Sequence, residues 1–151
     1  MIEFTIETEI ERAPAEVFAF ATDPARLPEW QTNTVSATPL EDGPLRVGSR
    51  LREVHRGPGG KELESVVEVS ELEPDRRFGL KMIEGPLPVD GQLRFEPDGA
   101  GTRFAFTVQA RPTGAARVAQ PLLRLALKRQ FAKHCAELKR VLEKGTGTPA
   151  A

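Results

Sequence analysis

The chain has no tyrosine, a single cysteine and only two histidines among its 151 residues. One cysteine, Cys135, excludes an internal disulfide framework and fits a reducing cytoplasm. Two histidines with no further His or Cys at ligand spacing supply no metal signature, so neither metal nor cofactor is expected. A net charge of −1, with 28% charged residues, excludes a global basic field for nucleic acid or anionic lipid. No apolar run approaches the roughly 18 residues of a membrane span. The first residues alternate at once and lack the basic, apolar, small-residue progression of a signal peptide, which sets the expectation of a cytoplasmic protein. There is no Gly-x-Gly-x-x-Gly after a strand, and Gly57-Pro58-Gly59-Gly60 joins two strands, so no helix N-terminus follows it to hold a phosphate.

What is present is an ordered series of elements. Ile2, Phe4, Ile6, Thr8 and Ile10 alternate with acidic and polar residues, the period of a strand with one wet face. Pro14 opens a two-turn helix with Val17, Phe18 and Ala21 on one stripe, and Asp23 caps a second short turn that leads to Trp30. Residues 32–38 read as a modest strand. Strands are then expected at 49–56, 62–72, 77–83, 87–95 and 102–111, separated by Gly- and Pro-containing turns every 8 to 12 residues, the spacing of an antiparallel meander. From Pro121 the apolar period becomes helical: Leu123, Leu127, Phe131, His134, Cys135, Leu138, Val141 and Leu142 share one face of a helix about 35 Å long that stops near Gly145. The expectation is one α+β domain over residues 1–145, a curled antiparallel sheet of about seven strands around a long C-terminal helix, with 146–151 as a frayed tail.

Charge assigns the faces. Arg50, Arg52 and Arg56 on one side of a strand are tolerable only where wet, which turns Leu51, Glu53 and His55 inward. If Arg56 stands opposite Glu62, Arg50 stands opposite Glu68, and Leu51, Glu53 and His55 then face Val67, Ser65 and Leu63. Arginines paired with glutamates on the outer face argue against a nucleic-acid groove. The inward set continues with Phe78, Leu80 and Met82, then Leu87, Val89, Gly91, Leu93 and Phe95, then Phe104, Phe106 and Val108. Gly91 within a strand lets a ligand or another backbone approach closely.

An apolar interior with few polar groups is the composition of a ligand site. Its candidates are Trp30, Leu51, Glu53, His55, Ser65, Val67, Leu80, Met82, Val89, Gly91, Phe104, Phe106, Leu127, Phe131 and His134. Each polar member has a plainer reading. His134 suits a core histidine bonded to a backbone carbonyl, and Glu53 and His55 suit a water-facing rim. Trp30 suits packing at the sheet edge, and Cys135 a buried, inert thiol. The functional reading makes His55 and Glu53 an acid/base couple acting on a ligand carbonyl or hydroxyl. A second stripe, Val118, Leu122 and Leu125, points away from the main face. It would close the cavity mouth, form a homodimer contact or, as the default, pack within the fold.

Several segments together resemble a known family. They are Ala13-Pro14-Ala15-Glu16-Val17-Phe18, Asp23-Pro24 with Leu27-Pro28-Glu29-Trp30, Val47-Gly48-Ser49-Arg50, Glu73-Pro74-Asp75-Arg76-Arg77-Phe78 and Gly101-Thr102-Arg103. From about Phe4 to Leu142 the chain is similar to the START-like, helix-grip superfamily (SRPBCC), in its bacterial polyketide cyclase/dehydratase-like branch. That resemblance implies a deep hydrophobic cavity between sheet and C-terminal helix. Relatives bind lipids, sterols, polyketides or hormones, and some catalyse cyclisation or dehydration. Cyclases place acid/base residues along the cavity, where this chain offers only Glu53, His55, Ser65 and His134. With no tyrosine, the usual pocket hydroxyls are few. The leading expectation is therefore binding of a small hydrophobic or amphipathic metabolite by a monomer or homodimer. The alternatives are a polyketide cyclase/dehydratase and a protein-interaction module.

Overall fold

A computed structural model describes residues 1–144, so the expected helix stop at Gly145 and the tail 146–151 lie outside the described residues. Strand β1 (Ile2–Ile10) leads to helix α1 (Pro14–Ala21) and the short helix α2 (Leu27–Trp30). Strands β2 (Thr34–Pro39), β3 (Arg50–Arg56), β4 (Glu62–Glu73), β5 (Arg77–Glu84), β6 (Val89–Asp98) and β7 (Gly101–Ala110) follow. The long helix α3 (Gln120–Lys144) ends the described chain. All seven strands form one antiparallel sheet in the order β1-β7-β6-β5-β4-β3-β2. The first strand thus pairs with the last, and the sheet curls around α3, which packs against β1 and α2.

The β3–β4 register is the one charge alternation required. Arg56 pairs with Glu62, Glu53 with Ser65, Leu51 with Val67 and Arg50 with Glu68. Neither directly opposed pair, Arg50 with Glu68 or Arg56 with Glu62, closes into an ion pair among the described residues: Arg50 meets Glu41 at 3.1 Å, while Arg52 meets the diagonal Glu64 at 3.7 Å. These partners are largely solvent-exposed and contribute little net stability. The turn between the strands needs its glycines, because Gly59 and Gly60 have φ of 74° and 80°, a region costly for any residue with a Cβ.

Three strand boundaries differ from expectation by more than one residue. β2 runs from Thr34 to Pro39 rather than over 32–38, because Gln31 and Thr34 close a turn through the Thr34 amide at 2.8 Å. β6 begins at Val89, since Pro88 has no amide to donate. It continues through Pro97 to Asp98, past the point where β5 stops pairing at Arg94. One edge of β6 is free there, so a proline is tolerated.

The core lies between the inner face of the sheet and the three helices. Phe95 and Phe104 are fully buried at its centre, their rings 5.4 Å apart, with Phe18 of α1 edge-on to Phe95 at 5.2 Å. Asp23 accepts a hydrogen bond from the Ala25 amide at 3.0 Å, capping the turn before α2. One expectation is overturned: Val118, Leu122 and Leu125 do not pack within the fold, being 87%, 73% and 47% exposed. They lie on the side of the lead-in and first turns of α3 that faces away from the sheet.

Candidate functional site

Where the first half of α3 crosses the sheet, an inner cavity of about 170 Å³ remains. Its apolar wall is Val67 of β4, Leu80 and Met82 of β5, Val89 and Gly91 of β6, Phe106 of β7, and Leu127 and Phe131 of α3. Its polar wall is Gln31 and Asn33, between α2 and β2, with Glu53 and His55 of β3 and Gln130 of α3.

Strand periodicity places the polar couple. Glu53 and His55 share the inward face of β3, and Glu53 is buried (6% exposed) despite its charge. His55 Nε2 lies 3.2 Å from Glu53 Oε1, while the imidazole keeps about a quarter of its surface accessible. A carboxyl group so placed meets the ring across a short polar contact, and the exposed part of the ring is free to meet a ligand oxygen. Ser65 stands directly opposite Glu53 in the ladder, and its buried Oγ has no hydrogen-bond partner among the described residues.

Gly91 acts through Phe106. A Cβ at position 91 would lie 3.1 Å from Phe106 Cε1, so the missing side chain lets that ring settle over β6 and form the cavity floor. Phe131 stacks edge-on against Phe106 at 5.1 Å and also meets Phe4 at 6.2 Å. These ring contacts set how far α3 stands from the sheet.

Of the residues expected from sequence, the cavity brings together Glu53, His55, Val67, Leu80, Met82, Val89, Gly91, Phe106, Leu127 and Phe131. Trp30, Leu51, Ser65, Phe104 and His134 are buried nearby but are not among its lining residues. Trp30 is fully buried, sits in the core rather than at a sheet edge, and packs against Phe104 and Phe106, its Nε1 without a hydrogen-bond partner among the described residues. His134 lies one turn beyond Phe131, edge-on to its ring at 5.2 Å, and its buried Nδ1 has no partner among the described residues, backbone carbonyls included. Burial first, and the proximity of His55 second, lower its pKa from 6.5 to about 4, so it is neutral at physiological pH. Burial likewise pushes the Cys135 thiol up to about 12, which removes its nucleophilic form.

Sequence reasoning missed Gln31, Asn33 and Gln130. Gln130 was legible, since it falls three residues after Leu127 and four before His134 on the inward helical face. Selecting that face by apolar residues alone passes over it. Gln31 and Asn33 sit in a connection without periodicity and had no comparable signal.

Known structures share this architecture. TTHA0849 from Thermus thermophilus superposes with a TM-score of 0.81 at 21% identity, covering 95% of this chain and 99% of that one. Ms6760 from Mycobacterium smegmatis gives 0.69 at 18%, covering 95% and 92%. The di-domain ARO/CYC StfQ from the steffimycin biosynthetic pathway gives 0.80 at 17%, covering 97% of this chain and 52% of that one, so the chain spans about half of StfQ. At these identities the likeness is one of fold. No curated protein sequence matches the chain. The family model described as "Polyketide cyclase / dehydrase and lipid transport" matches residues 1–143. A sheet gripping a C-terminal helix, with a cavity held open between them, accords with that match over nearly the whole length, and the chain belongs to this polyketide cyclase/dehydrase and lipid transport family.

Proposed function

We propose that the protein binds a small hydrophobic or amphipathic metabolite between β3–β7 and the first half of α3. The observation that carries this reading is the division of one cavity into an apolar floor and a polar side formed by Gln31, Asn33, Glu53, His55 and Gln130. Burying the ligand's apolar body would supply affinity at about 25 cal/mol per Å², and the polar side would orient its oxygen or nitrogen atoms. A volume of 170 Å³ favours one substituted ring or a short chain, because a cavity of about 150 Å³ admits a benzene-sized molecule. Native mass spectrometry of freshly purified protein tests the proposal. A co-purifying small molecule that is lost in a cavity-blocked variant supports it; an empty protein that takes up no apolar probe refutes it.

A second reading, cyclase or dehydratase chemistry, is favoured by the 3.2 Å contact between His55 and Glu53. His55 would deliver a proton to the ligand oxygen while Glu53 stabilises the charged ring, and the same ring would take up a proton when the C–H bond is broken. His55→Ala is then expected to abolish turnover of a polyketide-like substrate and leave binding nearly intact. Equal loss of both, or no turnover by the wild type, excludes this reading.

A further inference from the structure

The near-neutral net charge conceals a segregated one. Between Asp98 and Glu137 the chain has no acidic residue but seven of its 21 Lys and Arg. Five of these, Arg117, Arg124, Lys128, Arg129 and Lys133, are exposed along the lead-in and first half of α3, and none has an ion-pair partner among the described residues. Among them project Val118, Leu122 and Leu125, 87%, 73% and 47% exposed. Met1, 68% exposed, lies alongside, because its carbonyl accepts a hydrogen bond from Gln120 Nε2 at 3.4 Å. The same stretch of helix turns Leu127, Gln130 and Phe131 into the cavity. The acids on strands ending here do not neutralise the patch. Asp90 is held by Arg111 at 2.9 Å, Glu3 of β1 turns to the outer face of the sheet with Glu7, Arg94 and Arg103, and Glu62 and Glu84 belong to β4 and β5, separated from Met1 on the β1 side by β7 and β6.

We infer that this face docks on an anionic lipid surface, with Val118, Leu122 and Leu125 entering the acyl boundary and the surrounding cations resting on the headgroups. Exposed apolar side chains ringed by Lys and Arg on a helix are the composition of an interfacial segment. A second copy fits poorly. A two-fold contact places a patch on its own image, so the five cations would meet cations with no acid among them. A protein partner with a deep anchor fits poorly too, because a valine 87% exposed projects from the surface and forms no pocket for an aromatic anchor. Lipid needs no such pocket. Docking would bring the cavity's helix wall to the phase in which an apolar ligand dissolves. This inference does not depend on which ligand the cavity holds.

Vesicle co-sedimentation of the full chain tests it, using phosphatidylcholine alone and phosphatidylcholine with about 30 mol% phosphatidylglycerol. Binding is expected to the anionic vesicles only, falling about ten-fold between roughly 0.1 and 0.5 M NaCl as the charges are screened. Leu122→Asp and the double variant Arg117→Glu/Arg124→Glu are each expected to reduce it at least about ten-fold with an unchanged thermal melt, since every substituted side chain is exposed. Three results would overturn the inference. The wild type fails to sediment with anionic vesicles, Leu122→Asp binds them as well as wild type does, or the solution mass is a dimer that Leu122→Asp dissociates. Vesicle binding with no ligand in the cavity would leave docking standing while the metabolite proposal falls, so the two fail separately.

Discussion

The two halves of α3 meet the same sheet and do different things. The second half, beyond Phe131, seals: His134, Cys135, Leu138 and Leu142 are all buried against β1 and the core. The first half bridges. Leu127 is buried, Gln130 and Phe131 border the cavity, and the opposite side exposes Leu122 and Leu125. Two apolar stripes on one helix therefore have separate purposes, one giving stability and the other left uncovered. Phe131 marks the change, because its ring stacks on Phe106 and Phe4 and props the helix away from the floor.

Substitutions can break or sharpen this contrast. The largest effect is expected at Leu138, which is fully buried: Leu138→Ala should lower unfolding free energy by about 3 kcal/mol in urea titrations, through lost burial and the cavity left behind. A cost below about 1 kcal/mol would mean that the second half does not seal.

His134 should show the same tight packing through pH. Its pKa is depressed in the fold to about 4, so the unfolded chain binds the extra proton between about 4 and 6.5. The stabilisation is complete above about pH 6.5 and is lost as pH falls towards 4, by up to about 3 kcal/mol. The difference in stability between wild type and His134→Leu, followed from pH 7.5 to 4.5, should carry that slope, and a flat difference would show the imidazole to be solvated.

In the bridging half the readout moves from stability to binding. Gly91→Leu puts a side chain into the cavity against Phe106 and should weaken uptake of an apolar probe at least about ten-fold, roughly 1.4 kcal/mol, with the fold retained. Unchanged uptake would place the ligand elsewhere. Smallest of all, Leu122→Ala should change the melting free energy by no more than about 0.5 kcal/mol, because its side chain is already in water. A cost comparable to that of Leu138→Ala would erase the distinction between the two halves.

Much of the site was legible because strands report their faces directly. Glu53 and His55 are inward because Arg50, Arg52 and Arg56 must be outward, and the period of two leaves no other choice. Leu127 and Phe131 followed from helical period in the same way. Trp30 and His134 were harder, since a buried polar-tipped ring and a cavity-lining one give the same pattern. The fate of Val118, Leu122 and Leu125 was not legible at all, because an apolar stripe does not say whether anything covers it.

The order of alternating and helical segments, with the signs of their charges, was enough to determine a curled sheet, its β3–β4 register and the residues that turn inward. Local period and the cost of burying charge act within a few residues, so they can be read from a string. Which inward residues border empty space was decided only in three dimensions. That depends on the gap between α3 and the sheet, which is set by Phe4, Phe106 and Phe131 meeting from opposite ends of the chain.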